Sequence, residues 1–177
     1  MADSGIEATV RAFEQRLSGV TQGVESCLDE FVSVTDEHVR YLLAERLPSL
    51  GSAALPSLVG IINSTQVGSG LRYMAAWVAL ALGDRDAAVS ALCEEVDSDN
   101  EWSLPAANAL ARASVRVAEP SILRGLQRVE PYETGAVLQW THALRLVGGS
   151  LPNDVRERLT AAVEPWAAQA IRKDFPV

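Results

Sequence analysis

Nowhere in this chain do Val, Ile, Thr and aromatic residues alternate with polar ones over a stretch long enough for a half-buried strand. Aromatic residues are scarce, at 6%, although apolar residues make up 48% of the 177 positions. The core must therefore be filled by alanine, leucine and valine, a mixture suited to closely packed helices rather than sheets. Lysine is almost missing: Lys173 stands alone beside fourteen arginines. No run of 18 uncharged apolar residues occurs, which excludes a membrane-spanning helix by pattern. The opening Met1-Ala2-Asp3-Ser4-Gly5 has no basic stretch leading into an apolar one, so the expected location is the cytoplasm. The two cysteines, Cys27 and Cys93, lack CxxC spacing and are read as small buried hydrophobes rather than a disulfide or metal pair. Without a secretory signal, the acceptor-like Asn63-Ser64-Thr65 is fortuitous.

Positive charge is also in deficit. The net charge is −8 and the isoelectric point is near 4.8. Nucleic-acid binding draws its affinity from neutralised phosphates, so this balance argues against a DNA or RNA binder and leaves another protein, of basic character, as the expected partner. A chain of this size forms a single domain with a sufficient apolar core of its own.

What the sequence does contain is a repeat. Arg40-Tyr41-Leu42-Leu43-Ala44, running on to Leu50-Gly51, resembles Arg72-Tyr73-Met74-Ala75-Ala76, running on to Leu82-Gly83. The frame returns at nearly equal intervals, at Ala107, Leu110 and Ala113 and then at Trp140, Ala143 and Leu146. Each copy sets small or apolar residues three apart, on one helical face. Gly51, Gly83 and Gly148 follow where a helix must stop. A second helix interleaves with the first, centred on Leu58, Val89, Ile122 and Val155, with prolines 56, 120 and 152 near its starts and Ser52, Asp84 and Ser150 as expected N-caps. The links are expected at 64–69, 97–100 and 131–134.

Two patterns sharing one period, of about 32 residues, predict one helical hairpin per repeat, with neighbouring hairpins stacked over a common core. The Ala-x-x-Ala-x-x-Leu-Gly frame at 76–83, its copies and the Pro-led helices resemble HEAT-like or armadillo-like α-helical repeats over residues 35–165. The expected fold is all-α, an α-solenoid of about four such hairpins. Residues 1–34 (helices over 4–17 and 22–34) and 166–177 form atypical caps, the C-terminal one including part of 152–171. The third copy departs from the pattern: Pro105 enters the first turn of its inner helix and Ala113 replaces leucine.

No chemistry-bearing motif of the hydrolase, metalloprotease, phosphate-loop or dinucleotide type occurs, and the two histidines, His38 and His142, lie three copies apart. No catalytic residue, cofactor or metal is expected. Gly68-Ser69-Gly70 opens a helix and is read as a turn rather than a phosphate cradle. Asp97-x-Asp99-x-Glu101 is similar to the opening of a calcium loop, but the sixth position is Trp102 and the twelfth Asn108, so Glu94–Glu101 is read as a solvated acidic turn or a docking patch for a basic partner.

The resemblance implies that the second helix of each pair lines a concave surface. If Ala44, Ala76, Ala107 and Trp140 face the core, the next positions round the helix are Glu45, Trp77, Asn108 and Thr141, then Arg46, Val78, Ala109 and His142, then Ser49, Ala81, Arg112 and Arg145. Glu45, Trp77, Asn108, Arg112, His142 and Arg145 are the candidate partner-binding residues, since exposed Trp and Arg are enriched in binding hot spots. The alternative for Trp77 is burial against the next helix, and for the arginines ordinary solvation or ion pairing. Tyr41 and Tyr73 recur in register and are read as stacking between repeats, Trp102 and Trp166 as packing residues.

The resulting expectation is a non-catalytic protein-binding module, for instance an inhibitor or immunity protein that masks a basic bacterial toxin. The alternatives are a HEAT-like enzyme and a scaffold or assembly subunit. Among such enzymes, a DNA glycosylase would need a groove built from Arg72, Arg112 and Arg145, and bilin attachment has no motif here.

Overall fold

The computed structural model describes residues 23–176. Among these there are ten α-helices and no strand: α1 (Val24–Ser33), α2 (Glu37–Arg46), α3 (Leu55–Ile62), α4 (Ser69–Ala81), α5 (Asp86–Asp97), α6 (Ser103–Arg112), α7 (Glu119–Arg128), α8 (Thr134–Leu146), α9 (Asn153–Ala162) and α10 (Pro165–Asp174). Short 3₁₀ turns at Leu47–Leu50, Ser52–Ala54 and Arg116–Ala118 precede α3 and α7. The helix expected over 4–17 lies outside the described residues, whereas that expected over 22–34 is α1. The segment 152–171 divides into two helices. Val163 and Glu164 are extended, with ψ of 166° and 144°, and Pro165 starts a new helix that runs through Asp174.

Each helix packs chiefly on those one and two places along the chain. The even helices form one row (α2 on α4, α4 on α6, α6 on α8, α8 on α10), and α3, α5 and α7 form a second row behind it. The seam between them is narrow because it is lined with alanine: Ala75, Ala76, Ala79, Ala88, Ala91, Ala106, Ala107, Ala111 and Ala143 are all buried. Small side chains let backbones approach, and leucines such as Leu58, Leu92, Leu110, Leu126, Leu144 and Leu159 fill what remains. Ala44, Ala76, Ala107 and Trp140 face this core, as their register requires.

The helix ends recur with the period. Gly83 (φ 97°) and Gly148 (φ 72°) end α4 and α8 in the left-handed conformation; in each case the next N–H returns to a carbonyl five residues back, Asp84 to Ala79 and Gly149 to Leu144. The same closure ends α6, with Val115 N–H bonded to the Leu110 carbonyl, but Ser114 occupies the left-handed position at φ 51°. A side chain there is strained, so Ser114→Gly should raise stability by about 1 kcal/mol, read as a higher midpoint in urea at unchanged slope. Of the expected N-caps, Asp84 accepts from Ala87 N–H at 3.3 Å. Ser52 makes no side-chain cap bond, and Ser150 instead donates to Glu119 across the gap between α7 and α9.

A second recurring device lies at the start of the even helices. Arg40 of α2 donates from Nε to the Phe31 carbonyl (3.2 Å) and from Nη2 to that of Val34, closing the end of α1. At the equivalent position of the next copy, Arg72 of α4 donates to the Ile62 carbonyl at 3.0 Å, closing α3. In the copy after that, Ser103 of α6 donates to the Glu95 carbonyl at 2.9 Å, closing α5. Each of these three helices thereby satisfies carbonyls that the helix before it leaves unpaired.

Candidate interaction face

Three adjoining depressions run along the row of even helices. The first is lined by Glu37, His38, Tyr41 and Leu42 of α2, Met74 of α4 and Trp102. The second is lined by Tyr41, Tyr73, Trp77, Pro105, Asn108, Ala109 and Arg112. The third is lined by Asn108, Leu138, Gln139, Thr141 and His142, with Ala170, Ile171 and Asp174 of α10. Tyr41 borders both of the first two and Asn108 both of the last two, so the depressions succeed one another as an interrupted groove along five helices.

Two stacked aromatic pairs form its floor at the α2–α6 end. Tyr41 stacks on Trp77, and Tyr73 on Trp102, each with ring centroids 5.2 Å apart. The recurrent tyrosines do join successive even helices, as their register predicts. Trp102 reaches Tyr73 because Gly70 lies beneath its indole, where a Cβ would sit 2.9 Å from Cζ2. Trp77 is half-buried: one face lies on Tyr41 and the rest opens into the groove. Burial holds the Tyr73 phenol proton, pushing its pKa up to about 12, with Tyr41 adding to the rise and the positive charge of Arg112 opposing it. Its folded value thus exceeds the ordinary value near 10, so the stabilisation is complete below about pH 10 and is lost as pH climbs towards 12. A phenolate absorbance titration should show one of the three tyrosines ionising near 12, a step that Tyr73→Phe removes.

The groove brings together four of the six candidates. Trp77, Asn108 and Arg112 line its middle, and Asn108 continues to His142. Arg145 stands at the far end, 3.3 Å from Asp174 and 3.4 Å from His142 Nδ1, which accepts from its guanidinium. Glu45 is exposed on α2 and lines none of the three depressions. Around the helix the expected rows are narrower than their register implied. Thr141, Val78 and Ala109 are buried, and the Thr141 hydroxyl is used by the Val137 carbonyl at 2.9 Å. Trp166, expected to pack, is 63% exposed, because α10 seats Ala167, Ala168 and Ile171 instead.

The acidic turn is not an open patch. Arg124 grips Asp97 with both nitrogens (2.9 and 2.7 Å) and Ser121 adds a third bond, which together hold the Asp97 carboxyl below the usual range. Arg128 pairs with Asp99 at 3.3 Å, and Arg72 pairs with Glu94 and, at 3.6 Å, with the buried Glu95. Of the five acids from 94 to 101 only Glu101 has no such partner among the described residues. Asp97 and Asp99, two of the three acids that resembled a calcium loop, are turned towards arginines of α7, and among the described residues no three His, Cys, Asp or Glu side chains converge on a metal position. The arginines of a would-be nucleic-acid groove do not assemble either: Arg72 closes α3 outside the groove, and Arg145 is paired.

No helix among the described residues is long and apolar enough to cross a membrane. Comparison of the chain with family models, with curated proteins and with solved structures gives no match.

Proposed function

We propose that this chain is a non-catalytic protein-binding module, a HEAT-like α-solenoid of about four hairpins that holds a segment of a partner along its even-helix groove. The solenoid reading is supported by the regular sequence period, by helices that pack chiefly on their first and second neighbours, and by left-handed helix ends at matching register. The binding reading is carried by one observation: a run of adjoining depressions over five helices lined by non-repeating groups, the half-buried Trp77 and Asn108 and the exposed Arg112 and His142. Positions that serve stacking recur from copy to copy, as Tyr41 and Tyr73 do; residues that break the repeat are free to serve a contact. The net charge of −8 favours a partner of opposite sign at long range, as for an inhibitor of a basic toxin, because it speeds encounter between the two surfaces.

The test is affinity capture from native-host lysate with mass spectrometry, comparing wild type with Trp77→Ala/Arg112→Ala. One protein retained by wild type and reduced about tenfold or more by the double variant is the expected result, since truncating two hot-spot side chains costs at least that much. Equal retention by both would move the interface off this groove. A chain that retains nothing would sink the binding reading.

A further inference from the structure

Charge is unevenly distributed along the chain. Residues 1–102 hold sixteen acidic and six basic side chains, whereas residues 103–177 hold seven and nine. The acid surplus is thus confined to the first part, and the part carrying α6 to α10 is net positive. On that side of the groove Arg145 is offset by Asp174. Arg112 has no ion pair and no hydrogen bond among the described residues, and it is exposed at the rim beside Tyr73 and Trp77. Of the acids that line the groove, Glu37 belongs to α2 at its other end and Asp174 is the one held by Arg145. An uncompensated guanidinium beside an aromatic floor is a site for a carboxylate, which Arg can grip with two parallel bonds.

The groove also continues in both directions from this point. Towards α2 it passes over Trp77 and Tyr41, and towards α10 it passes Asn108, one turn before Arg112 on the same helix. A chain end would use only one of these branches, while an extended segment running through uses both. We infer that the groove takes an extended peptide segment of the partner with an Asp or Glu side chain seated on Arg112 and flanking residues laid over Trp77 on one side and past Asn108 on the other. This rests on the binding reading above and adds the polarity of the bound segment. A partner that is basic overall satisfies both, provided the segment it inserts carries an acid.

The experiment is selection of a random twelve-residue peptide library, displayed within a loop so that no peptide terminus is free, on the full chain. The expected outcome is a family of peptides with one fixed Asp or Glu, whose binding falls about tenfold in Arg112→Ala and whose affinity falls with added salt. Arg112→Glu should select Lys or Arg at the same fixed position. Arg112 is exposed, so an unchanged helical signal and melting temperature should accompany both variants. Peptides that depend on Trp77 but show no fixed acid, or that bind Arg112→Ala as well as wild type, overturn this inference and leave the groove reading standing. Enrichment indifferent to Trp77→Ala, or none at all, overturns both.

Discussion

Replacing Gly125 by valine should destabilise the fold by about 3 kcal/mol, near the upper end of what overpacking a core costs. The cause is one contact. Gly125 lies on the buried face of α7, and the six-membered ring of Trp140 on α8 rests directly on its Cα. A Cβ built there would fall on Cη2 and Cζ3 of that ring, closer than any real packing contact. The ring has nowhere to withdraw: Trp140 is 5% exposed and its neighbours Ala143, Leu144 and Leu126 are fully buried. In thermal unfolding the change should appear as a fall of about 6–12 °C for a chain of this length. Combining Gly125→Val with Trp140→Leu should recover part of the loss, because the second change vacates the volume the first one claims. A single variant that melts with wild type, or a double variant whose losses simply add, would show that α7 and α8 do not meet through this pair.

A second large effect is expected at Arg72. Its guanidinium pairs with Glu94 and with Glu95, and its Nε closes the Ile62 carbonyl. The Glu95 side chain is only 4% exposed, and beyond Arg72 its carboxylate has Asn100 Nδ2 at 3.2 Å. Arg72→Met keeps most of the aliphatic stem but strands a buried carboxylate, so stability should drop by about 3 kcal/mol. Adding Glu95→Gln should return a measurable share of that loss, since a neutral amide is far less costly to bury alone. If Arg72→Met matched wild type in denaturant, the pair would be a surface contact of no consequence, and the closure of α3 by Arg72 would fall with it.

The sequence discloses the part of this molecule that local physics decides. The left-handed ends at Gly83 and Gly148, the prolines at helix starts and the burial of Ala44, Ala76, Ala107 and Trp140 are found as read, whereas Gly51 follows a 3₁₀ turn rather than the α-helix, which stops at Arg46. What stayed hidden involves partners supplied by other helices. Glu94 and Asp97 look like free charge in one dimension, yet their arginines come from positions 72 and 124. Arg40 and Arg72 repeat plainly in the sequence, but that they close the preceding helix depends on where that helix ends. The break at Glu164-Pro165 and the separate helix beyond it, seated on α8, were not read from the sequence, because those residues carry no copy of the Ala-x-x-Ala frame. The groove itself was half legible. Register placed Trp77, Asn108 and Arg112 together, while Glu45, one repeat earlier, lines none of the three depressions.

The contact pattern has a kinetic consequence. Almost every substantial helix–helix contact joins elements one or two places apart, so the mean separation of touching residues along the chain is small. Folding can then begin at any adjacent pair and spread outward without first closing a long loop, which puts this chain among the fast folders for its size. The guanidinium of Arg72 extends that order: it bonds to α3 behind it and to α5 ahead of it, so the arrival of α4 makes each neighbour more costly to peel away. Amide protons of α3, α4 and α5 should therefore exchange with solvent as one cooperative unit rather than as three.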